Sequence, residues 1–232
     1  MSSKIAIMGA MVEEVEPIIA VLGDKKRIEY AKNIYYSGRY GGKEVVVAYS
    51  KIGKVFASLT ATVMIEHFGC NRLLFSGVAG AINSDLAIGD LIYATKLTQH
   101  DLDITAFGHP YGFVPEGSIY IHTSKELNDI ANKVAQEKDI KLKHGIIATG
   151  DQFVADSQRK EWIEQTFSAD ALEMEGASVA VVCDSLGVEF FVLRAISDAA
   201  DMEANFDFDN FLQNSAKVSA EFILQMVENI DD

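Results

Sequence analysis

Four carboxylates stand at or just after the ends of segments that have the sequence of buried strands: Glu14, Glu173, Glu175 and Asp198. Ligands of open α/β sheets bind at the carboxyl ends of the strands, so these side chains are candidates for one shared site. Together they could supply a base, an acid and a negative charge that stabilises a developing cation. Cleavage of a glycosidic bond uses all three.

The apolar run Phe190–Ile196 is typical of a strand buried on both faces, and it ends in Ser197-Asp198. Burial at such an edge would raise the pKa of Asp198 toward the value that a general acid needs. The alternative is that Asp198 caps a helix or opens a turn. Glu14 has a similar alternative, because Glu13, Glu14 and Glu16 fall in the first half of a predicted helix, where the helix dipole favours anions.

The elements that must position these groups alternate between strand and helix patterns, with one hairpin at Gly41-Gly42. This predicts an α/β fold in which helices flank a mostly parallel, mixed central sheet in three layers, as a single domain over residues 1–232. The predicted strands are Lys4–Gly9, Ile34–Tyr40, Glu44–Ser50, Arg72–Phe75, Leu91–Leu97, Lys143–Ala148, Ala171–Met174 and Phe190–Asp198. The predicted helices are Met11–Leu22, Gly53–Phe68, Ser124–Asp139, Arg159–Gln165, Ala177–Leu186 and Phe208–Glu228.

Composition narrows the class of protein. The net charge of −14 comes from 34 acidic and 20 basic residues without a basic cluster, which argues against a nucleic-acid partner. No apolar run is long enough for a membrane span or a signal region, so we expect no membrane association and a cytoplasmic protein. Cys70 and Cys183 have the pattern of a reduced structural pair, which fits the same compartment.

The sequence lacks complete motifs for binding a nucleotide cofactor. Gly53-Lys54 lacks the following Ser or Thr of a phosphate loop, and no dinucleotide fingerprint follows a strand. The segment His100–Asp103 has no second ligand pair at convincing spacing, so we expect no metal and no cofactor. The small residues Ser76–Ala81 predict a turn after a strand. They would serve either close backbone packing or a ligand lying against exposed peptide groups.

Seven segments of the chain carry further information when they are taken together. They are Gly9-Ala10-Met11-Val12-Glu13-Glu14, Ser50-Lys51-Ile52-Gly53-Lys54, Ser76-Gly77-Val78-Ala79-Gly80, Thr105-Ala106-Phe107-Gly108, Thr149-Gly150-Asp151-Gln152-Phe153, Glu173-Met174-Glu175-Gly176-Ala177 and Arg194-Ala195-Ile196-Ser197-Asp198. In this order they resemble one family, the 5′-methylthioadenosine/S-adenosylhomocysteine nucleosidases of the nucleoside phosphorylase fold. The resemblance implies irreversible hydrolysis of the bond between adenine and a 5′-thio-substituted ribose, in methionine salvage and the recycling of S-adenosylmethionine by-products. It also implies a homodimer that binds adenine nucleosides without a cofactor.

By the same resemblance, Glu14 matches the base that activates water and Asp198 the acid that meets the departing purine. Glu175 matches the glutamate that holds the ribose hydroxyls. Val78 stands where many relatives carry Ser, which puts any hydroxyl contact there in doubt. The remaining substrate-binding residues expected are Met11, Ile52, Val78, Ala79, Gly80, Phe153, Val154, Glu173, Met174, Ser197 and Phe208, with Ile104, Phe107 and Pro115 reaching the partner subunit's site.

Alternatives stay open at this point. A phosphorylase of the same fold would need cations around phosphate, usually Arg, but Phe75-Ser76 precede the glycine turn here. Arg39 and Arg194 remain as candidates for such cations. Arg194 lies within a predicted buried strand, and its alternative role is that of a structural ion-pair partner. A non-catalytic nucleoside-binding protein is the other alternative. Cleavage of 5′-deoxyadenosine or of 6-amino-6-deoxyfutalosine, the latter in menaquinone synthesis, is open as well.

Overall fold

The computed structural model describes residues 3–198 and 208–231, with side chains for residues 3–197 and 214–231. One mixed sheet is flanked by helices within these ranges. The strands are β1 (Lys4–Gly9), β2 (Gly23–Tyr30), β3 (Asn33–Tyr40), β4 (Lys43–Tyr49), β5 (Arg72–Ala81), β6 (Leu91–Gln99), β7 (Ile121–His122), β8 (Leu142–Thr149), β9 (Ala171–Glu173) and β10 (Glu189–Asp198). The helices are α1 (Val12–Ala20), α2 (Lys54–Thr62), α3 (Lys125–Glu137), α4 (Ser157–Phe167), α5 (Gly176–Leu186) and α6 (Phe208–Asn229).

The sheet closes on itself around β5. Strand β10 pairs in parallel with β5 and antiparallel with β6, and β6, β8 and β9 lead back to β5. Strands β1, β4, β3 and β2 extend the sheet outward from β5. At the carboxyl end of β5, Gly80 pairs with Leu172 of β9 on one side and with Asp198 of β10 on the other. The ends of three strands therefore meet at one point.

Both faces of the central strands are buried, as the apolar run in β10 predicted. Phe190 and Val192 lie in a core with Phe75, on the face that α2 and α5 cover. Phe191 and Leu193 lie in the core on the opposite face, which α1, α3 and α6 cover. This alternation of side chains with period two produces the expected three layers.

One sequence expectation for local structure was wrong, and the sequence pattern did not reveal the edge strand β2. The small residues Ser76–Ala81 do not form a turn, because β5 continues through Ala81 with partners on both neighbouring strands. Strand β2 was not predicted, because Gly23–Tyr30 is a largely exposed, charged edge strand without the alternation of a half-buried one. The predicted helix Gly53–Phe68 corresponds to α2 and a π-helical turn, Val63–His67, that follows it.

Cys70 and Cys183 are both buried and unpaired with each other. Burial raises the pKa of each thiol to about 12, so neither is poised to react. Among the helices of the described ranges, none combines the length and apolar character needed to cross a bilayer.

Candidate active site

A cavity of about 140 Å³ opens where the ends of β1, β5, β9 and β10 converge. A smaller cavity of about 40 Å³ adjoins it and adds Gln152 and Val154 to the lining. Ala10 and Leu172 also line the site, and the only sign of this in the sequence is their place in or beside predicted strand ends. The larger cavity is lined by Ala10, Met11, Glu14, Ile52, Val78, Ala79, Gly80, Phe153, Leu172, Glu173, Met174, Glu175 and Ser197.

Glu14 is a buried carboxylate near the start of α1. Its Oε2 accepts hydrogen bonds from the amides of Ala10, at 2.6 Å, and Met11, at 2.9 Å, and its Oε1 accepts from the amide of Val78 at 3.2 Å. The bond to Met11 ties the carboxylate to the N-cap of α1, which agrees with the alternative that Glu14 serves the start of this helix. Burial raises the pKa of Glu14, and the amides and the nearby charge of Arg194 offset it only in part.

Glu175 is the second buried carboxylate in the cavity, at the N-cap of α5. Its Oε1 accepts a hydrogen bond of 2.8 Å from the amide of Gly53, just before α2. Burial raises the pKa of Glu175, and the negative charge of Glu173 raises it further. The cavity thus holds two carboxyl groups that retain a proton more tightly than an exposed one would.

Glu173 also lines the cavity, but its carboxylate is bonded within the protein. Arg194 Nη2 lies 2.6 Å from Glu173 Oε2, and the Thr149 hydroxyl donates to Oε1. The amides of Glu175 and Gly176 donate to the same carboxylate. Arg194 is therefore a structural ion-pair partner, which confirms the interpretation made from its buried strand.

The small residues at the end of β5 allow close packing, and three of them also line the cavity. A Cβ on Gly77 would lie 3.1 Å from Glu14 Oε1 and 3.3 Å from Arg194 Cζ, so a side chain there would crowd both charged groups. Val78, Ala79 and Gly80 line the cavity. The Ser197 hydroxyl donates to the carbonyl of Ala79 at 3.3 Å.

For some predicted site residues, the structure does not show a side chain that lines the cavity. The backbone of Asp198 pairs with Gly80 beside the cavity, but the side chains of Asp198 and Phe208 lie outside the described residues. Ile104, Phe107 and Pro115 do not line the cavity in the part of the chain that the structure describes. Ile104 is half-buried, and Phe107 and Pro115 are exposed, Phe107 by 81%.

Two side chains of the segment His100–Asp103 contact other side chains of the protein. Asp101 forms an ion pair with Lys54, with Oδ1 and Nζ 2.7 Å apart. His100 is buried against Arg159, and burial lowers its pKa to about 4. Within residues 3–198 and 208–231, no group of three or more His, Cys, Asp or Glu side chains is arranged to hold a metal ion.

Comparison with known proteins gives consistent matches over almost the whole chain. Residues 4–228 match the Phosphorylase superfamily. The chain is 59% identical to the aminodeoxyfutalosine nucleosidase of Campylobacter jejuni, over 98% of this chain and 99% of that one. It is 38% identical to the 5′-methylthioadenosine/S-adenosylhomocysteine nucleosidase of Actinobacillus succinogenes, over 98% and 100%. The solved D198N mutant of the Helicobacter pylori methylthioadenosine nucleosidase, with 5′-methylthioadenosine in its active site, is 52% identical, covers 99% of this chain and 100% of that one, and superposes with a TM-score of 0.96.

Proposed function

The chain belongs to the phosphorylase superfamily, and from that premise we propose that it hydrolyses the N-glycosidic bond of adenosyl nucleosides. The names of its relatives give the substrates, which are 6-amino-6-deoxyfutalosine, 5′-methylthioadenosine and S-adenosylhomocysteine. All three join adenine to a ribose that is substituted at its 5′ position. 5′-Deoxyadenosine belongs to the same class. The reaction would serve methionine salvage, by-product recycling and menaquinone synthesis.

The observation that carries this proposal is the pair of buried carboxylates, Glu14 and Glu175, in a cavity without a cationic lining. Among the described residues, no Lys or Arg side chain lines it. The guanidinium of Arg194 forms an ion pair with Glu173 and donates hydrogen bonds to backbone carbonyls. Arg39 is exposed and donates to the carbonyl of Gly42. Phosphorolysis needs cations around phosphate, so water is the better-supported acceptor.

In the proposed mechanism, Glu14 accepts a proton from water as the water oxygen bonds to the anomeric carbon. The bond between that carbon and the purine nitrogen breaks, and Asp198 gives a proton to the five-membered ring of the departing adenine. The sugar gains positive charge on the way, so Glu175 at its hydroxyls binds it more tightly than in the ground state. The raised pKa values of Glu14 and Glu175 suit groups that exchange or share protons.

We expect different parts of the substrate to bind along the two adjoining cavities. Phe153 is 66% exposed and borders both of them, so its ring is free to stack on the adenine. Val154 lines the smaller one, where its backbone would read the edge of the base. We expect Met174 to contact the ribose, and Met11 and Ile52 to belong to the apolar wall of the 5′ pocket. Val78 offers that pocket no hydroxyl.

The decisive experiment is incubation of the chain with 5′-methylthioadenosine, with and without phosphate. We expect adenine release without phosphate and free 5-methylthioribose as the sugar product. A strict phosphate requirement and a sugar 1-phosphate would identify a phosphorylase instead. Binding of the nucleoside without any base release would identify a binding protein. Competition among the four nucleosides then ranks the substrates.

We further propose a two-fold homodimer in which Ile104, Phe107 and Pro115 complete the partner's 5′ pocket. Phe107 is exposed, and the exposed side of α2 presents a second apolar surface through Val55, Phe56 and Leu59. Tyr111, by contrast, packs edge-on against Trp162 of its own chain. Light scattering at micromolar concentration tests this, and an active monomer would refute it. We also propose that the chain is a single domain located in the cytoplasm. Its two buried cysteines are free thiols, which fits a reducing compartment.

A further inference from the structure

Three distant segments are joined by a closed set of hydrogen bonds next to the cavity. Lys54 Nζ donates to Asp101 Oδ1 at 2.7 Å, and Asp101 Oδ2 accepts from the amide of Asp151 at 2.8 Å. Asp151 Oδ1 in turn accepts from the backbone amide of Lys54 at 2.8 Å. Lys54, Asp101 and Asp151 are called the Lys54 clamp below. It connects the start of α2, the segment after β6 and the loop after β8.

The Lys54 clamp replaces an ordinary helix cap. The N-cap of α2 is Gly53, which has no side chain to bond the first amides, and Asp151 supplies that bond from another segment. Gly53 has φ 99°, which favours glycine, and a Cβ there would lie 3.1 Å from Asp151 Oδ1. Because the Gly53 amide donates to Glu175, the clamp fixes the donor that orients this carboxylate.

The Lys54 clamp also holds the loop that carries Phe153, the residue proposed to stack on the base. Asp151 is two positions before Phe153, and its amide is held by Asp101. The side chains of Lys54 and Asp101 are only 18% and 17% exposed, so solvent competes weakly for this ion pair. Burial of Asp101 opposes its charge, but the hydrogen bonds from Lys54 and from the Asp151 amide outweigh it and lower its pKa. Asp101 therefore faces Lys54 as a carboxylate at neutral pH.

We propose that the Lys54 clamp sets the spacing between the group that stacks on the base, Phe153, and the group that holds the ribose, Glu175. Lys54 and Asp101 are accordingly positioning residues, since neither lines the cavity. The inference rests on the proposed function, because only a nucleoside needs both groups at one fixed separation. Loss of alignment in a site of this kind costs activity well beyond the loss of one surface ion pair.

The test compares Lys54→Met and Asp101→Asn with the matched control Lys125→Met. The side chain of Lys125 is 89% exposed and forms an ion pair with Asp129 on α3. With 5′-methylthioadenosine, we expect kcat/KM to fall by about tenfold to hundredfold in both clamp variants, mostly through a higher KM. The control should stay within about twofold. Lys54→Arg, which keeps the charge, should recover most of the loss. Because both substitutions break the same ion pair, kcat/KM of the double variant should be no lower than that of the less active single variant.

The outcomes separate the two proposals. If the wild-type chain releases no adenine, the proposed function and this inference both fail. If the wild type is active and both clamp variants match it within twofold, the inference alone is wrong. A loss that follows only the fraction of folded enzyme, with KM unchanged, also overturns it. Should Lys54→Met not fold, Asp101→Asn decides, since it keeps an oxygen acceptor for the Asp151 amide and must still raise KM.

Discussion

Glu173 Oε2 and Arg194 Nη2 lie 2.6 Å apart, in an ion pair whose side chains are 2% and 1% exposed. The carboxylate also accepts from Thr149 and from two backbone amides, and the guanidinium donates to the carbonyls of Phe75 and Leu193. The hydrogen-bonding capacity of both groups is thus largely used within the protein. Among the described residues that line the cavity, this leaves Glu14 and Glu175 as the carboxylates available to a substrate.

Arg194→Met should destabilise the protein strongly, because it leaves the charge of Glu173 buried without its partner. We expect the free energy of unfolding to fall by about 3–5 kcal/mol, measured by urea denaturation at neutral pH. The double variant Glu173→Gln/Arg194→Met removes both charges and should recover part of that loss. A single variant that loses less than about 1 kcal/mol would mean that water or another cation already compensates Glu173.

Glu175→Gln should stabilise the empty protein at mildly alkaline pH. The pKa of Glu175 is raised in the folded state, so the folded chain binds more protons than the unfolded one between the ordinary and the raised value. The stability from that proton is complete below the ordinary carboxyl pKa and is lost as pH rises through the raised one. Gln keeps the acceptor for Gly53 and carries no charge.

Thermal melts over a pH series measure this effect. The melting temperature of Glu175→Gln should exceed that of the wild type by about 2–4 °C for each kcal/mol relieved, and the difference should shrink toward acidic pH. Glu126→Gln is the control, because Glu126 is largely exposed. A difference that is independent of pH would contradict the raised pKa.

Glu14→Gln should abolish turnover while substrate still binds. The variant cannot accept a proton from water, so kcat should fall by about 100-fold or more. Glu175→Gln should instead weaken both binding and turnover, because its contact to the ribose hydroxyls exists before and during the reaction. Single-turnover kinetics and equilibrium binding of 5′-methylthioadenosine separate the two patterns. Equal effects of both variants on binding would show that the two roles are wrongly divided.

The pH dependence of the wild type offers an independent check on Glu14. Burial raises its pKa, and a base must be ionised to act. The acidic limb of kcat/KM should therefore lie above the ordinary carboxyl range, with activity rising as pH increases through it. A limb at the ordinary carboxyl value would place the base in a more exposed position than Glu14 occupies.

The sequence predicted the parts of this fold that depend on local pattern. The apolar run of β10 predicted a buried strand, which the structure contains. Glu14, Glu173 and Glu175, which were expected near one edge of the sheet, line one cavity there, and the side chain of Asp198 lies outside the described residues. The course of β5 beyond Ser76 could not be read in this way, because small residues suit a turn and a crowded strand equally. The bond between Gly53 and Glu175 spans 122 positions, and the one between Lys54 and Asp151 spans 97. Such pairings depend on tertiary structure, which residue type and spacing do not encode.

Asp198→Asn tests the acid, whose backbone the structure places beside Gly80 at the meeting point of three strands. Asn keeps the shape and the hydrogen-bonding atoms but has no carboxylic proton to give to the departing purine. We expect kcat to fall by about 100-fold or more, with binding of 5′-methylthioadenosine largely retained.

The alternative for Asp198 is a turn or cap, and it makes a different prediction. Loss of such a contact would lower the melting temperature, and activity would then follow the fraction of folded protein. Thermal melts and single-turnover kinetics on the same preparation distinguish the two. Near-full turnover in a normally folded Asp198→Asn would show that adenine leaves without this acid, and the proton donor would have to be sought on another residue of the site.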